Sequence, residues 1–266
     1  RLRLTAGAVG ALLGGLAGSI DLTWAYALGF CSALGALAVA LGFTRVRSDD
    51  APVIAGPFTQ LRRVLSAISS PGQQSPSLGW FFGVSVLAVV LAHVPYQLYQ
   101  HYVAFVGIPS LQISTPVLTG MHASLALLVA APIAGISGWL TGRFGIRRVL
   151  LLALLAQVAV ISTMAVIIHP VVVLVLVFRG VPNAVIRPTL DAAIAPRVEA
   201  AMRATYLSVQ SLGGRLAYAL VLVIMSSMVT GKIWASSITQ LAMMAVLGGI
   251  CAWVLLATGG RSHHRT

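Results

Sequence analysis

The sequence predicts an all-α membrane protein, a polytopic helical bundle, and three observations carry that prediction. Of 266 residues, 58% are hydrophobic and only 8% are charged, with a mean hydropathy of +0.95. A soluble domain carries roughly a quarter charged residues, and no soluble fold hides this much apolar surface, so the solvent is lipid. The apolar residues also come in runs long enough to cross about 30 Å of hydrocarbon, which takes about 20 helical residues. Finally, most basic residues stand outside those runs, in the gaps between them and at the two ends. A net charge of +12 would suggest nucleic acid in a soluble chain. Set in the gaps it marks membrane orientation instead, so the expected partner is the lipid bilayer and not nucleic acid. Cys31 and Cys251 lie inside apolar runs, which predicts neither a disulfide framework nor a metal site, and no cofactor.

Taken in order, the spans are expected near 4–20, 23–43, 80–107, 116–140, 149–169, 170–195, 204–229 and 233–257. The first follows Arg1 and Arg3 like a signal peptide, but a second span succeeds it at once, so the chain reads as starting partway through a longer protein. One long polar connection, 44–79, carries "TRVRSDDAPVIAGP" and "SSPGQQSPS" and separates a helix pair from a six-helix block. Within it "PFTQLRRVLSAI" puts Phe58, Leu61, Leu65 and Ile68 on one helical face beside Arg62 and Arg63, with Pro57 as a natural helix start. That pattern suits a helix lying in the membrane interface; a solvated linker turn is the alternative.

Orientation follows from counting arginines. Alternate gaps hold Arg1 and Arg3; Arg45, Arg47, Arg62 and Arg63; Arg143, Arg147 and Arg148; Arg197 and Arg203; and Arg261 and Arg265. The other gaps hold only Lys232. The positive-inside rule therefore places both ends of the chain in the cytoplasm, with eight spans in a plasma (inner) membrane.

The gap after the fourth span reads "GISGWLTGRFGIRR". Gly138, Arg143, Gly145, Arg147 and Arg148 resemble the cytoplasmic-loop motif of the major facilitator superfamily, with Gly142 where that family usually has Asp. In that family the motif follows the second helix of each six-helix half, as it follows the second helix of the block here. "GAVGALLGGLAGSIDLTWAYALGF" resembles the family's fifth helix, outer turn and sixth helix, and Gly10, Gly14 and Gly18 offer a small-residue ridge for close packing. No proline stands in that first span, so the family's antiporter signature is not matched. "IAPRVEAAMRATYLSVQSLGGRL" resembles the tenth-to-eleventh helix connection of bacterial members. The resemblance implies a major facilitator fold lacking its first four helices. Residues 1–43 would close the N-terminal half, 44–79 form the inter-domain loop, 80–257 the C-terminal half and 258–266 a cytoplasmic tail.

Polar residues inside the spans are the candidate site. Arg179, Asn183, Arg187 and Asp191 recur every fourth residue, a slowly winding helical stripe that should face a cavity or other helices. A charge at mid-bilayer costs about 2.5–3.5 kcal/mol on insertion scales. Arg179 and Arg215 read as deep, yet no carboxylate shares their depth, so their partners should be acids on missing helices, an anionic substrate, or backbone carbonyls. Asp191 lies within reach of the loop arginines. By the resemblance it would latch onto Arg143 or Arg147 in the outward-open state; an i,i+4 pair with Arg187 is the alternative. In "AHVPYQLYQHY", His93, Gln97 and His101 share a face with tyrosines interleaved, Tyr96 among them, and Pro95 should break or kink the helix. That reads as a substrate-lining wall; hydrogen-bonded histidines and interfacial tyrosines are the bland reading. His122 is a weaker candidate.

The fifth and eighth spans carry no internal charge, matching the peripheral ninth and twelfth helices that the resemblance implies. The expected function is secondary active transport of a small solute by alternating access about a midplane site, with or without a coupling ion, export being the commoner direction in the family. No Gly-Lys-Ser/Thr phosphate loop points to ATP, and no nucleophile or metal constellation points to an enzyme. The rival class is a non-transporting scaffold or partner subunit of the same fold.

Overall fold

The structure, a computed structural model, describes residues 2–42, 56–69, 76–106, 115–227 and 233–258. The remaining parts of the 44–79 connection, of the gaps at 108–115 and 230–232, and of the 258–266 tail lie outside the described residues. Among the described residues the elements are all helical. They are α1 (Leu2–Ile20), α2 (Leu22–Gly42), α3 (Pro57–Ser69), α4 (Leu78–Val106), α5 (Thr115–Phe144), α6 (Ile146–Val166), α7 (Pro170–Val175), a 3₁₀ segment (Leu176–Gly180), α8 (Val181–Ile194), α9 (Ala200–Ser226) and α10 (Ile233–Thr258). Eight helical runs, with α7, the 3₁₀ segment and α8 counted as one, are long and apolar enough to cross a membrane. The chain is a multi-pass helical membrane bundle.

Two of the described turns between the spans are as short as the sequence suggested, and each has a local cause. Asp21 alone separates α1 from α2; its carboxylate accepts the Thr23 N–H at 2.7 Å and caps α2. That bond holds the Asp21 carboxyl below its ordinary range. α5 runs four residues past the expected end at 140, through Arg143 to Phe144. The loop motif is therefore mostly helix, and its turn shrinks to Gly145 at φ +80°, a conformation that costs glycine little. Gly138 and Gly142 would meet nothing if they carried a Cβ, so only Gly145 is needed for the turn. Pro95 lies inside α4 without ending it.

Packing is led by small residues where backbones meet. α1 lies along α5, and its contact centres on Gly15 and Gly120: a Cβ on Gly120 would sit 2.7 Å from the Ala11 oxygen and 2.7 Å from the Gly15 Cα. Of the expected ridge of Gly10, Gly14 and Gly18, only Gly18 packs on α5, where a Cβ would lie 3.5 Å from Pro116. Gly10 and Gly14 face open space, whereas Ala8 and Gly15 are buried. α2 leans on α1 and buries none of its residues. The main apolar core joins α4, α6, α8 and parts of α9 and α10 around Phe81, Leu91, Leu150, Leu154, Ile186 and Leu241.

α3 docks on the starts of α4 and α9. Val64 is buried, Gln60 accepts a hydrogen bond from the Thr205 hydroxyl at 3.0 Å, and the Ile68 carbonyl abuts Gly79. Phe58, Leu61 and Leu65 stay uncovered, so the apolar face read from the sequence splits: Ile68 turns to protein and the other three turn outward.

Candidate functional site

The opening residue of the stripe, Arg179, departs from its companions for a reason visible in the chain. Pro182 has no N–H to return to the Phe178 carbonyl, and the Val181 N–H takes that carbonyl instead, closing a 3₁₀ turn. A 3₁₀ turn advances about 120° per residue against about 100° in an α-helix. Arg179, at the end of that segment, is rotated away from Asn183, Arg187 and Asp191.

It lands between α4 and α5. The Arg179 guanidinium lies 4.2 Å over the Tyr99 ring and donates from Nη1 to His122 Nδ1 at 3.2 Å. Tyr99 and His122 are themselves stacked, with centroids 4.4 Å apart. Since a guanidinium only donates, Nδ1 must accept, and the imidazole proton sits on Nε2, which donates to the Val173 carbonyl at 2.8 Å. Arg179 therefore meets a neutral histidine and an aromatic face, neither of which was among its expected partners. His122, the weaker candidate in the sequence, is buried and central to this cluster.

The other three residues of the stripe converge with α1, α4 and α9 on a cavity of about 560 Å³. α4 contributes Ser85 and His93, α8 contributes Asn183, Arg187 and Asp191, and α9 contributes Gln210, Ser211 and Arg215. Arg3 of α1 closes the list of charged residues on its wall. His93, Asn183 and Arg215 each stand near the middle of their membrane-length runs, while Arg3 and Asp191 stand at the ends that carry the arginine-rich connections. The cavity thus extends from mid-helix toward the arginine-rich end. Its size is that of a small-molecule site, about 300–1,000 Å³.

Sequence reasoning thus placed His93, Asn183, Arg187, Asp191 and Arg215 among its polar positions, and the structure brings them onto one wall. It does not bring Arg179 there, nor Gln97, which lines a smaller void of about 190 Å³ with Tyr218 and Gln240. Tyr96 is exposed, and the side chain of His101 lies outside the described residues. His93 donates from Nδ1 to the Val89 carbonyl, 2.7 Å away, and packs on Tyr218 with centroids 4.8 Å apart. Arg3 had been read only as an orienting charge, and Ser85, Gln210 and Ser211 were not singled out. Nothing local marks them, because their common position depends on how α1, α4 and α9 pack.

The loop arginines have other work. Arg147 donates to the Leu256 carbonyl and Trp80 Nε1 to the Leu255 carbonyl at 3.0 Å, so two carbonyls at the end of α10 gain donors from other helices. Arg197 and Arg203 cap the end of α8 in the same way, at the Ala193 and Ala195 carbonyls. Asp191 shares the cavity wall with Arg187, whose charge it feels. Arg143 and Arg148 are exposed. No group of three or more His, Cys, Asp or Glu side chains able to hold a metal occurs among the described residues.

No family model, curated protein or solved structure matches the chain.

Proposed function

We propose that this protein is a secondary transporter that moves a small solute through the α1–α4–α8–α9 cavity by alternating access, with the organisation of the fifth to twelfth helices of a major facilitator. The observation that carries this reading is the cavity: charged and polar side chains from four helices line one void among runs apolar enough to cross a membrane, where such groups are costly and are retained for a ligand or a pathway. The α1–α5 contact supports it too. Gly15 and Gly120 bring the helix read as the fifth, in the N-terminal half, against the C-terminal block, backbone on backbone. In this reading both ends of the chain are cytoplasmic and the cavity is open inward.

Alternating access is tested by reactivity from both sides. Ser211 is exposed on the cavity wall, and Cys31 and Cys251 are free and exposed, so they are first replaced. Ser211→Cys in sealed vesicles should then react with an impermeant maleimide added to either face. Reaction from the arginine-rich face alone would replace the transporter with a scaffold or partner subunit of the same fold.

A further inference from the structure

The charges on the cavity wall are unbalanced, and their balance names a ligand. Arg3, Arg187 and Arg215 approach it from three helices, and Asp191 is the one carboxylate lining it. Four arginines elsewhere in the bundle are tied down: Arg147, Arg197 and Arg203 donate to backbone carbonyls, and Arg179 donates to His122, while Arg62, Arg63, Arg143 and Arg148 are exposed away from the cavity. Among the described residues, the guanidiniums of Arg3, Arg187 and Arg215 make no hydrogen bond to protein. A guanidinium presents a fork of donors that matches carboxylate and phosphate oxygens, and three forks free of hydrogen bonds around one void, with only Arg187 facing the Asp191 charge, form a receptor for negative charge.

The geometry points to an organic anion, a carboxylate or phosphate ester small enough for about 560 Å³, as the solute of this cavity. The inference rests on reading the cavity as a transport site. Arg215, near mid-helix on α9, and Arg187, one turn above Asp191 on α8, hold the acid group. Asn183, Gln210 and Ser211 on the same wall offer neutral donors and acceptors for the remainder of the solute. Asp191 opposes the anion. It sets an upper limit on binding, which suits a site that must also release its cargo.

The test uses the full chain in detergent, with succinate, benzoate and glucose 6-phosphate as anionic probes, and glucose and tetraphenylphosphonium as neutral and cationic ones. At least one anion should bind in isothermal titration while glucose and tetraphenylphosphonium do not. Arg187→Gln and Arg215→Gln should each weaken that binding about tenfold or more, the loss expected when one charge-assisted hydrogen bond goes. Asp191→Asn should tighten it several-fold, a gain that no misfolded variant would show. Arg215→Lys, which keeps charge but not the fork, should fall between. Unchanged thermal unfolding without probe establishes that each variant is folded. Binding of tetraphenylphosphonium or glucose in preference to the anions, or the absence of any anion binding, overturns the assignment, as does Asp191→Asn binding anions more weakly. Anion failure with two-sided Ser211→Cys reactivity discards only the solute class. Anion binding with one-sided reactivity discards only the transporter.

Discussion

Arg179 carries a charge inside an apolar run, and its neighbourhood explains how it is tolerated. An aromatic face is worth about 0.5–2 kcal/mol to a cation over it, less than the insertion cost of about 2.5–3.5 kcal/mol for a mid-bilayer charge. The Tyr99 stack therefore covers only part of the cost, and the His122 acceptor is needed for the rest. His122→Phe removes that acceptor and also strands the Val173 carbonyl. It should destabilise the protein by about 2 kcal/mol or more, above the roughly 0.6 kcal/mol of an average interhelical hydrogen bond. Tyr99→Leu should cost about half as much, and His122→Gln should recover part of the loss. Thermal unfolding in detergent measures all three. An unfolding temperature for His122→Phe equal to the parent's would mean the guanidinium has another partner.

Among the elements, the α1–α5 pair separates two readings of the same glycines. Gly10 and Gly14 form the ridge the sequence suggests, yet they face open space; Gly15 and Gly120 are the ones without room. Gly120→Ala places a methyl 2.7 Å from backbone atoms of α1, which cannot rotate away, so α1 must shift. Overpacking of this kind costs about 1–3 kcal/mol. Gly14→Ala meets nothing and should be neutral or stabilising by up to about 1 kcal/mol from helix propensity. A Gly14→Ala variant less stable than Gly120→Ala would show that α1 is rotated from the position described.

At the scale of the molecule, the arginine distribution predicts one sidedness. The turn at Asp21 and the end of α9 lie opposite the starts of α6 and α9. With Cys31 and Cys251 replaced, Ile20→Cys and Ser227→Cys should react with an impermeant reagent outside intact cells. Gly142→Cys and Glu199→Cys should react only after permeabilisation. External labelling at Gly142 would invert the topology and with it the face on which the cavity opens.

Bundle class, span number and the position of most turns were legible in the sequence, because the bilayer acts on each run separately. Whether a segment is apolar and about 20 residues long needs no knowledge of its neighbours. The recurrence of Asn183, Arg187 and Asp191 was legible for the same reason, being a property of one helix. Arg179 strayed from that stripe through a local effect, the missing N–H of Pro182, which a closer reading of "RGVPN" could have anticipated. The rest depended on packing between helices. Which of the glycines on α1 meets a backbone, which arginines find carbonyls and which are left around a void, and that Arg3 and Arg215 face the same space as Asp191, are set by rotations of whole helices about their axes. In lipid an apolar stripe does not orient a helix toward the core, so those rotations leave little trace in any one segment. Only the assembled bundle decided them.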